Sequence, residues 1–177
     1  MKARIAVLAA ALVATASVAV GATAAPSTPE AQSATIVGVA AGDKRFSTLV
    51  SLVKQAGLVK TLNGKGPFTV FAPTNAAFAA LKRNAPETYD AVVSDKKLLT
   101  SVLTYHVLAG KVGSKAAIAA ASKKASVKTV QGERIKLSLK NKKLFLNGSS
   151  QVIITDVKVA NGLIHAINAV LVPPSLA

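Results

Sequence analysis

The chain has 177 residues, with 22 Lys and Arg against 7 Asp and Glu, a net charge of +15, two histidines and no cysteine. That inventory excludes a disulfide framework and a lipid-modified N-terminal Cys, and it supplies a multi-ligand transition-metal cluster poorly. The mean hydropathy of +0.44 is raised by the apolar N-terminal segment and does not define a membrane protein.

Lys2 and Arg4 precede an uninterrupted apolar run from Ile5 to Ala14, and Ala22-Thr23-Ala24 fits a small-x-small cleavage site. This predicts a secretory signal peptide over 1–24, cut before Ala25. An uncleaved anchor is opposed by Thr15 and Ser17, because a span needs about 20 mostly apolar residues. No later segment reads as a transmembrane span, and the lack of a twin-Arg pair points to general secretion. The polar, Pro-containing stretch 25–34 reads as a flexible lead-in, and the residues after it suffice for one domain with its own core.

From Asp43 to Leu58, the residues Phe46, Leu49, Val50, Val53 and Leu58 keep helical spacing, with Asp43 as a cap and Gly57 near the end. Phe68, Val70 and Ala72 then alternate with Thr69 and Phe71 as in a strand, which Pro73 stops. Thr74 or Asn75 can cap the next helix, whose Ala77, Phe78 and Leu81 share a face. A short helix is expected over 86–93. Ser94-Asp95 can cap another that carries Leu98, Leu99, Val102 and Leu103 to Tyr105-His106. Lys111-Val112-Gly113 turns the chain into an Ala-rich helix over 114–121.

After Lys124 the period changes to two. Ile135, Leu137 and Leu139 alternate with Arg134, Lys136, Ser138 and Lys140, which predicts one buried and one cationic face. Asn141-Lys142 and Asn147-Gly148 are turn signals around Leu144-Phe145-Leu146, and 152–159 reads as a further strand. Asn161-Gly162 signals another turn, and from Leu163 to Val172 both faces are almost wholly apolar, so that strand must be covered on both sides. Helices first and a run of antiparallel strands last predict an α+β fold in a single domain without internal repeats.

Three blocks in order, FTVFAPTNAAF from Phe68, YHVL from Tyr105 and NGLIHAINAVLVP from Asn161, resemble the signature blocks of the fasciclin (FAS1) domain. The opening TIVGVAAGDKRFSTLVSLVKQAGL is similar to the family's first helical stretch, and the resemblance covers 35–173, leaving 174–177 as a C-terminal tail. It implies an antiparallel β-sandwich-like wedge with helices packed along its edge, and an extracellular adhesion or binding role. Asn75 and Asn168 depart from the acidic residues common at those places in the family, and the Ser149-Ser150-Gln151 stretch is slightly long. In animal members the Tyr-His region and an Asp-Ile pair are linked to integrin adhesion. Here the corresponding residues are Tyr105, His106, Asp156 and Val157, with Thr155 where the animal motif has Pro. A solvent-facing Asp156 in a strand is the plainer reading.

His106 and His165 sit in apolar surroundings and read as hydrogen-bonded core histidines. No serine lies in a G-x-S-x-G elbow, and no P-loop or dinucleotide fingerprint is present, so an enzyme is disfavoured and no cofactor is expected. Asn147-Gly148-Ser149 is formally a glycosylation sequon that turn chemistry explains. Ten Lys and Arg lie between Lys111 and Lys143, against the one acid Glu133. This stretch is either a solubilising surface or a binding face formed by Arg134, Lys136, Lys140, Lys142 and Lys143. Its partner would be an anionic polysaccharide, a lipid head group or a cell-surface protein. Nucleic acid is disfavoured because aromatic residues make up 4% of the chain and no stacking motif accompanies the charge. The sequence therefore reads as a secreted adhesion or surface-interaction protein of the periplasm, cell surface or extracellular space. A carrier of a hydrophobic ligand such as a carotenoid, held between helix and sheet, is the alternative.

Overall fold

The computed structural model describes residues 34–176. The leader expected at 1–24, and the lead-in up to residue 33, lie outside the described residues.

Four apolar-faced helical segments open the domain: α1 (Ile36–Gly42), a 3-10 turn (Lys44–Phe46), α2 (Ser47–Ala56) and α3 (Val59–Leu62). The single helix expected from Asp43 is broken at Phe46 because Asp43 caps the 3-10 turn, accepting from the Arg45 N–H at 2.9 Å. Gly57, at φ +76°, ends α2 in the left-handed conformation that glycine takes without steric cost. The next helices are α4 (Asn75–Asn84), α5 (Pro86–Ser94) and α6 (Lys96–Tyr105), and α7 (Ser114–Ser122) follows later. Of the two candidate caps for α4, Thr74 holds the position, accepting from the Ala77 N–H. Asn75 ties that corner to α2 instead: its Oδ1 accepts from the Thr48 N–H at 3.0 Å, and its Nδ2 donates to the Lys44 carbonyl.

Seven strands, β1 (Phe68–Pro73), β2 (Val107–Ala109), β3 (Ser126–Lys128), β4 (Arg134–Lys140), β5 (Lys143–Leu146), β6 (Ser150–Val159) and β7 (Gly162–Ile167), form one sheet in the order β2-β1-β7-β6-β5-β4-β3. The α+β class and the FAS1 wedge hold, with one pairing that differs from the antiparallel expectation. β1 and β7 run parallel, Phe68 opposite Gly162 through Pro73 opposite Ile167. They are separated by five other strands and four helices, so no hairpin dictates their direction, and a parallel pair must be covered on both faces. Every residue of β7 is buried accordingly. The strand stops at Ile167 rather than running on to Val172. Asn168 turns back to pair with Gln151, and the Leu171 N–H leaves the sheet to bind His106. Gly162 is dictated by packing rather than by a turn, since a Cβ there would lie 1.9 Å from the Phe68 carbonyl oxygen.

The two faces of the β1–β7 pair build two cores. Val70, Ala72, Ile164 and Ala166 meet Leu49, Val53, Leu99, Val102 and Leu103 of the helices. Phe71 and Ile167 face the curled half of the sheet, packing with Ile135, Leu137, Leu144, Leu146 and Val152, and Ala117 and Ala121 of α7 complete that core. The curl brings the two ends of the sheet together, with Leu108 bridged to Thr129 and the Val130 N–H donating to the Val107 carbonyl at 2.8 Å. Of the tail expected at 174–177, residues 174–176 are described and pack back on the domain. Pro174–Leu176 forms a 3-10 turn, and Ser175 donates to Glu133.

Candidate functional site

Strand alternation on β4 sends Ile135 and Leu137 inward and leaves Arg134, Lys136 and Lys140 exposed. Residues directly opposite on antiparallel strands share a face. The register sets Lys128 opposite Arg134, Ser126 opposite Lys136, Phe145 opposite Ser138, and Lys143 opposite Lys140. The outer face of β3–β4–β5 is thus a field of cations with hydroxyls and one half-buried aromatic ring between them. Lys142 lies apart from it, at the tip of the β4–β5 turn, where Asn141 and Lys142 take φ of 51° and 62°.

This face is concave. Left-handed residues on either side of β4, Lys124 at φ 52° and Asn147-Gly148 at φ 50° and 77°, fold the neighbouring turns into two rims. Between them lies a trench of about 450 Å³ lined by Lys124, Ser126, Lys136, Leu137, Ser138, Asn147 and Gly148. Cationic heads rest on both rims. Arg134 Nη1 donates to Ser126 Oγ at 3.4 Å, and Lys140 Nζ donates to the Gly148 carbonyl at 3.3 Å while lying 5.5 Å from the centre of the Phe145 ring. Among the described residues no acid lines the trench. The nearby Glu133 is held away by hydrogen bonds from Ser175 and Gln131, which lower its pKa. Ser138 Oγ is buried without a hydrogen-bond partner.

Tyr105 supports this surface from beneath. Its ring is fully buried in the second core, and its hydroxyl donates to the Arg134 carbonyl at 3.1 Å and accepts from Asn147 Nδ2 at 2.9 Å. Burial raises the phenol pKa above its ordinary value, partly offset by the Asn147 bond. Asn147 Oδ1 in turn accepts from the Lys136 N–H at 3.0 Å. The Tyr-His block and the basic face, two separate candidates in sequence, are therefore joined through one hydroxyl. Sequence reasoning missed the link because Tyr105 and Asn147 are 42 residues apart. The Asn-Gly turn signal marked only one end of it. The amide nitrogen that a sugar on the sequon would occupy is the one donated to Tyr105.

His106 does not reach the surface. Nδ1 donates to the Val102 carbonyl at 2.7 Å and Nε2 accepts from the Leu171 N–H at 2.9 Å, an arrangement that requires the neutral ring. Burial pushes its pKa down to about 4. His165 is equally enclosed, accepting from the Asp156 N–H at Nδ1 and donating to the Val112 carbonyl from Nε2.

Asp156 lies in β6 and is partly exposed, as the plainer reading expects, but its carboxylate is engaged rather than simply facing solvent. It sits at φ 58°, within the irregular stretch of β6 between Ile154 and Val157, and its carboxylate accepts from the Ser114 N–H at 2.8 Å and from Ser114 Oγ. It thereby caps α7, whose own N-cap, Gly113, has no side chain to do so. Those bonds lower its pKa. Val157 is half-buried against the helical core. Asp156 and Val157 are separate from the basic face. Ser114, Asp156 and His165 lie close together, but the serine donates to the carboxylate and both imidazole nitrogens are bonded to backbone, so the imidazole does not face the hydroxyl.

Among the described residues no group of three His, Cys, Asp or Glu could hold a metal, and no helix is long and apolar enough to cross a membrane. The apolar space between helices and sheet, lined by Val50, Val53, Leu103 and Val107 among others, amounts to about 30 Å³. Pockets that take drug-sized ligands are about 300–1,000 Å³.

The helices and the sheet curled over a second core define an α+β domain with a basic outer face. The family model described as Fasciclin domain matches residues 44–173, and the chain belongs to that family. It is 45% identical over 140 residues to Protein sll1483 of Synechocystis sp., covering 79% of this chain and 74% of that protein. It is 37% identical to the transforming growth factor-beta-induced protein ig-h3 of Sus scrofa, covering 80% of this chain but 20% of the relative. A third relative, the immunogenic protein MPB70 of Mycobacterium bovis, is 35% identical, with 85% and 75% covered. The chain also superposes on a solved FAS1 domain pair from the insect cell adhesion molecule Fasciclin I with a TM-score of 0.69. That match covers 82% of this chain and 53% of the other at 17% identity, so it speaks to the fold alone.

Proposed function

We propose that this protein is a secreted, non-enzymatic surface-interaction module that holds anionic polymers of an envelope or matrix on the outer face of β3–β5. The observation that carries this reading is the convergence of Arg134, Lys136 and Lys140 on one concave face with no acid in its lining. Opposite charge raises the local concentration of such a partner. A relative named cell surface glycolipoprotein MPB83, 37% identical over 146 residues, is consistent with work at a cell boundary. Transport of a carotenoid-like ligand has no comparable support, given the small apolar cavity. Nor does adhesion through Asp156, whose carboxylate is occupied in capping α7.

The test is binding of the mature chain to an immobilised anionic glycan across a salt series, with Arg134, Lys136 and Lys140 changed together to Gln. Exposed charges are screened over about 8 Å at physiological salt. Binding should fall steeply with ionic strength and drop in the triple variant while the melting curve is kept. Binding indifferent to both changes would refute the basic face as the site.

A further inference from the structure

Resting on that reading of the β3–β5 face, we propose that the trench over β4 is a subsite for one acidic sugar residue, uronate or sulfated, of a linear polysaccharide. Its capacity of about 450 Å³ lies in the range of small-ligand pockets, whereas a merely solubilising surface has no need of a concavity. The chemistry of the lining is mixed in the way such a residue is mixed. Lys124 and Lys136 offer point charges to a carboxylate or sulfate, and the Arg134 and Lys140 heads stand on opposite rims. Between the cations lie neutral groups suited to sugar hydroxyls: the hydroxyls of Ser126 and Ser138 and the backbone of Gly148. Ser138 Oγ is the informative atom, because a buried hydroxyl without a partner is uncommon in a folded protein, and rotation about χ1 re-aims it. Along β4, the distance from Arg134 to Lys140 is about 20 Å of strand, with Lys128 and Lys143 flanking those ends, so several sugar units can run along the strand with one seated in the trench.

The same lining disfavours other polyanions. A lipid surface is gripped by apolar side chains as well as charge. The exposed large apolar residues Ile118, Val130 and Ile153 are not among those lining the trench. Single-stranded nucleic acid needs exposed rings for stacking. Phe145, the aromatic residue of this face, is half-buried beneath Lys140.

The experiment compares binding of the mature chain, at physiological salt, to uronate and sulfated oligosaccharides, to inorganic polyphosphate of matched charge, and to vesicles containing phosphatidylglycerol. The acidic oligosaccharides should bind most tightly. Ser138→Ala should weaken them about three- to tenfold, the value of one neutral hydrogen bond, while leaving polyphosphate unchanged. Ser126→Ala, at a half-exposed neutral position of the lining, supplies the same comparison independently of any effect of Ser138→Ala on folding, and should weaken oligosaccharide more than polyphosphate. If affinity follows charge alone and neither variant alters the preference, the subsite is overturned while the basic face stands. If vesicles bind best, a lipid head group takes its place. If Arg134, Lys136 and Lys140 changed together to Gln leave every ligand bound as before, the underlying reading fails and the subsite fails with it.

Discussion

Tyr105→Phe isolates the bond that joins the second core to the basic face. The ring and its packing remain, while two hydrogen bonds are lost, the donation to the Arg134 carbonyl and the acceptance from Asn147 Nδ2. Each contributes about 0.5–1.5 kcal/mol net, so the substitution should cost about 1–3 kcal/mol. For a domain of this size that is a fall in Tm of roughly 3–9 °C. Asn147 is half-buried, so solvent can re-satisfy its amide more readily than the carbonyl. Thermal unfolding followed by circular dichroism, on wild type, Tyr105→Phe, Asn147→Ala and the double variant, measures both the cost and the coupling. The double-mutant cycle should return a coupling of about 0.5–1.5 kcal/mol, because residues in one network are not additive. An unchanged Tm, or strictly additive losses, would refute the claim that this hydroxyl ties the face to the core.

His106 should impose acid sensitivity. Its folded pKa of about 4 lies below the ordinary 6.5, so the unfolded chain binds a proton first and stability declines as pH falls from about 6.5 to 4. That difference corresponds to about 3 kcal/mol, and urea unfolding across this window should lose its steepest pH dependence in His106→Gln. Asp156→Asn keeps a residue that tolerates positive φ but removes the charged cap on α7, so it should cost about 1–2 kcal/mol in chemical denaturation. Ile167, fully buried at the end of β7, should cost about 2–5 kcal/mol as Ile167→Ala, and an unaltered melting curve would contradict the placement of that strand.

The fold was legible wherever one periodicity ran without interruption. Alternation on β4, the doubly apolar β7 and the helix faces of α2 and α6 are local properties of a chain half-buried on one side or wholly buried. The parallel pairing of β1 with β7 was not legible, because strands apolar on both faces carry no signal of direction, and Phe68 and its partner Gly162 are far apart in the chain. The early end of β7 was hidden for a related reason: Leu171 is apolar because it is buried, yet its backbone leaves the ladder for a histidine imidazole. At the candidate site the cations were legible as a charge run, but the concavity was not. It arises from positive φ at Lys124 and Asn147, and only the second carries a turn signature in its sequence.

The position of the site on strands rather than on loops bears on how it can select a partner. A charged loop offers its lysines as mobile heads and discriminates little beyond charge. Here the backbone under Arg134 and Lys136 is fixed by β-ladder pairing to β3, and from below by Tyr105 and Asn147. Tyr105 is itself immobilised in a core that Phe71 and Ile167 close from the other side. The spacing of the rims is therefore inherited from core packing, which resists displacement because interiors are close-packed. Lysine heads remain free to adjust over several torsions, while the backbone that carries the neutral groups beneath them does not move and Ser138 has only its χ1 to turn. Affinity can then come from the cations and selectivity from the trench floor, which makes Ser138 a more discriminating position than any single lysine on this face.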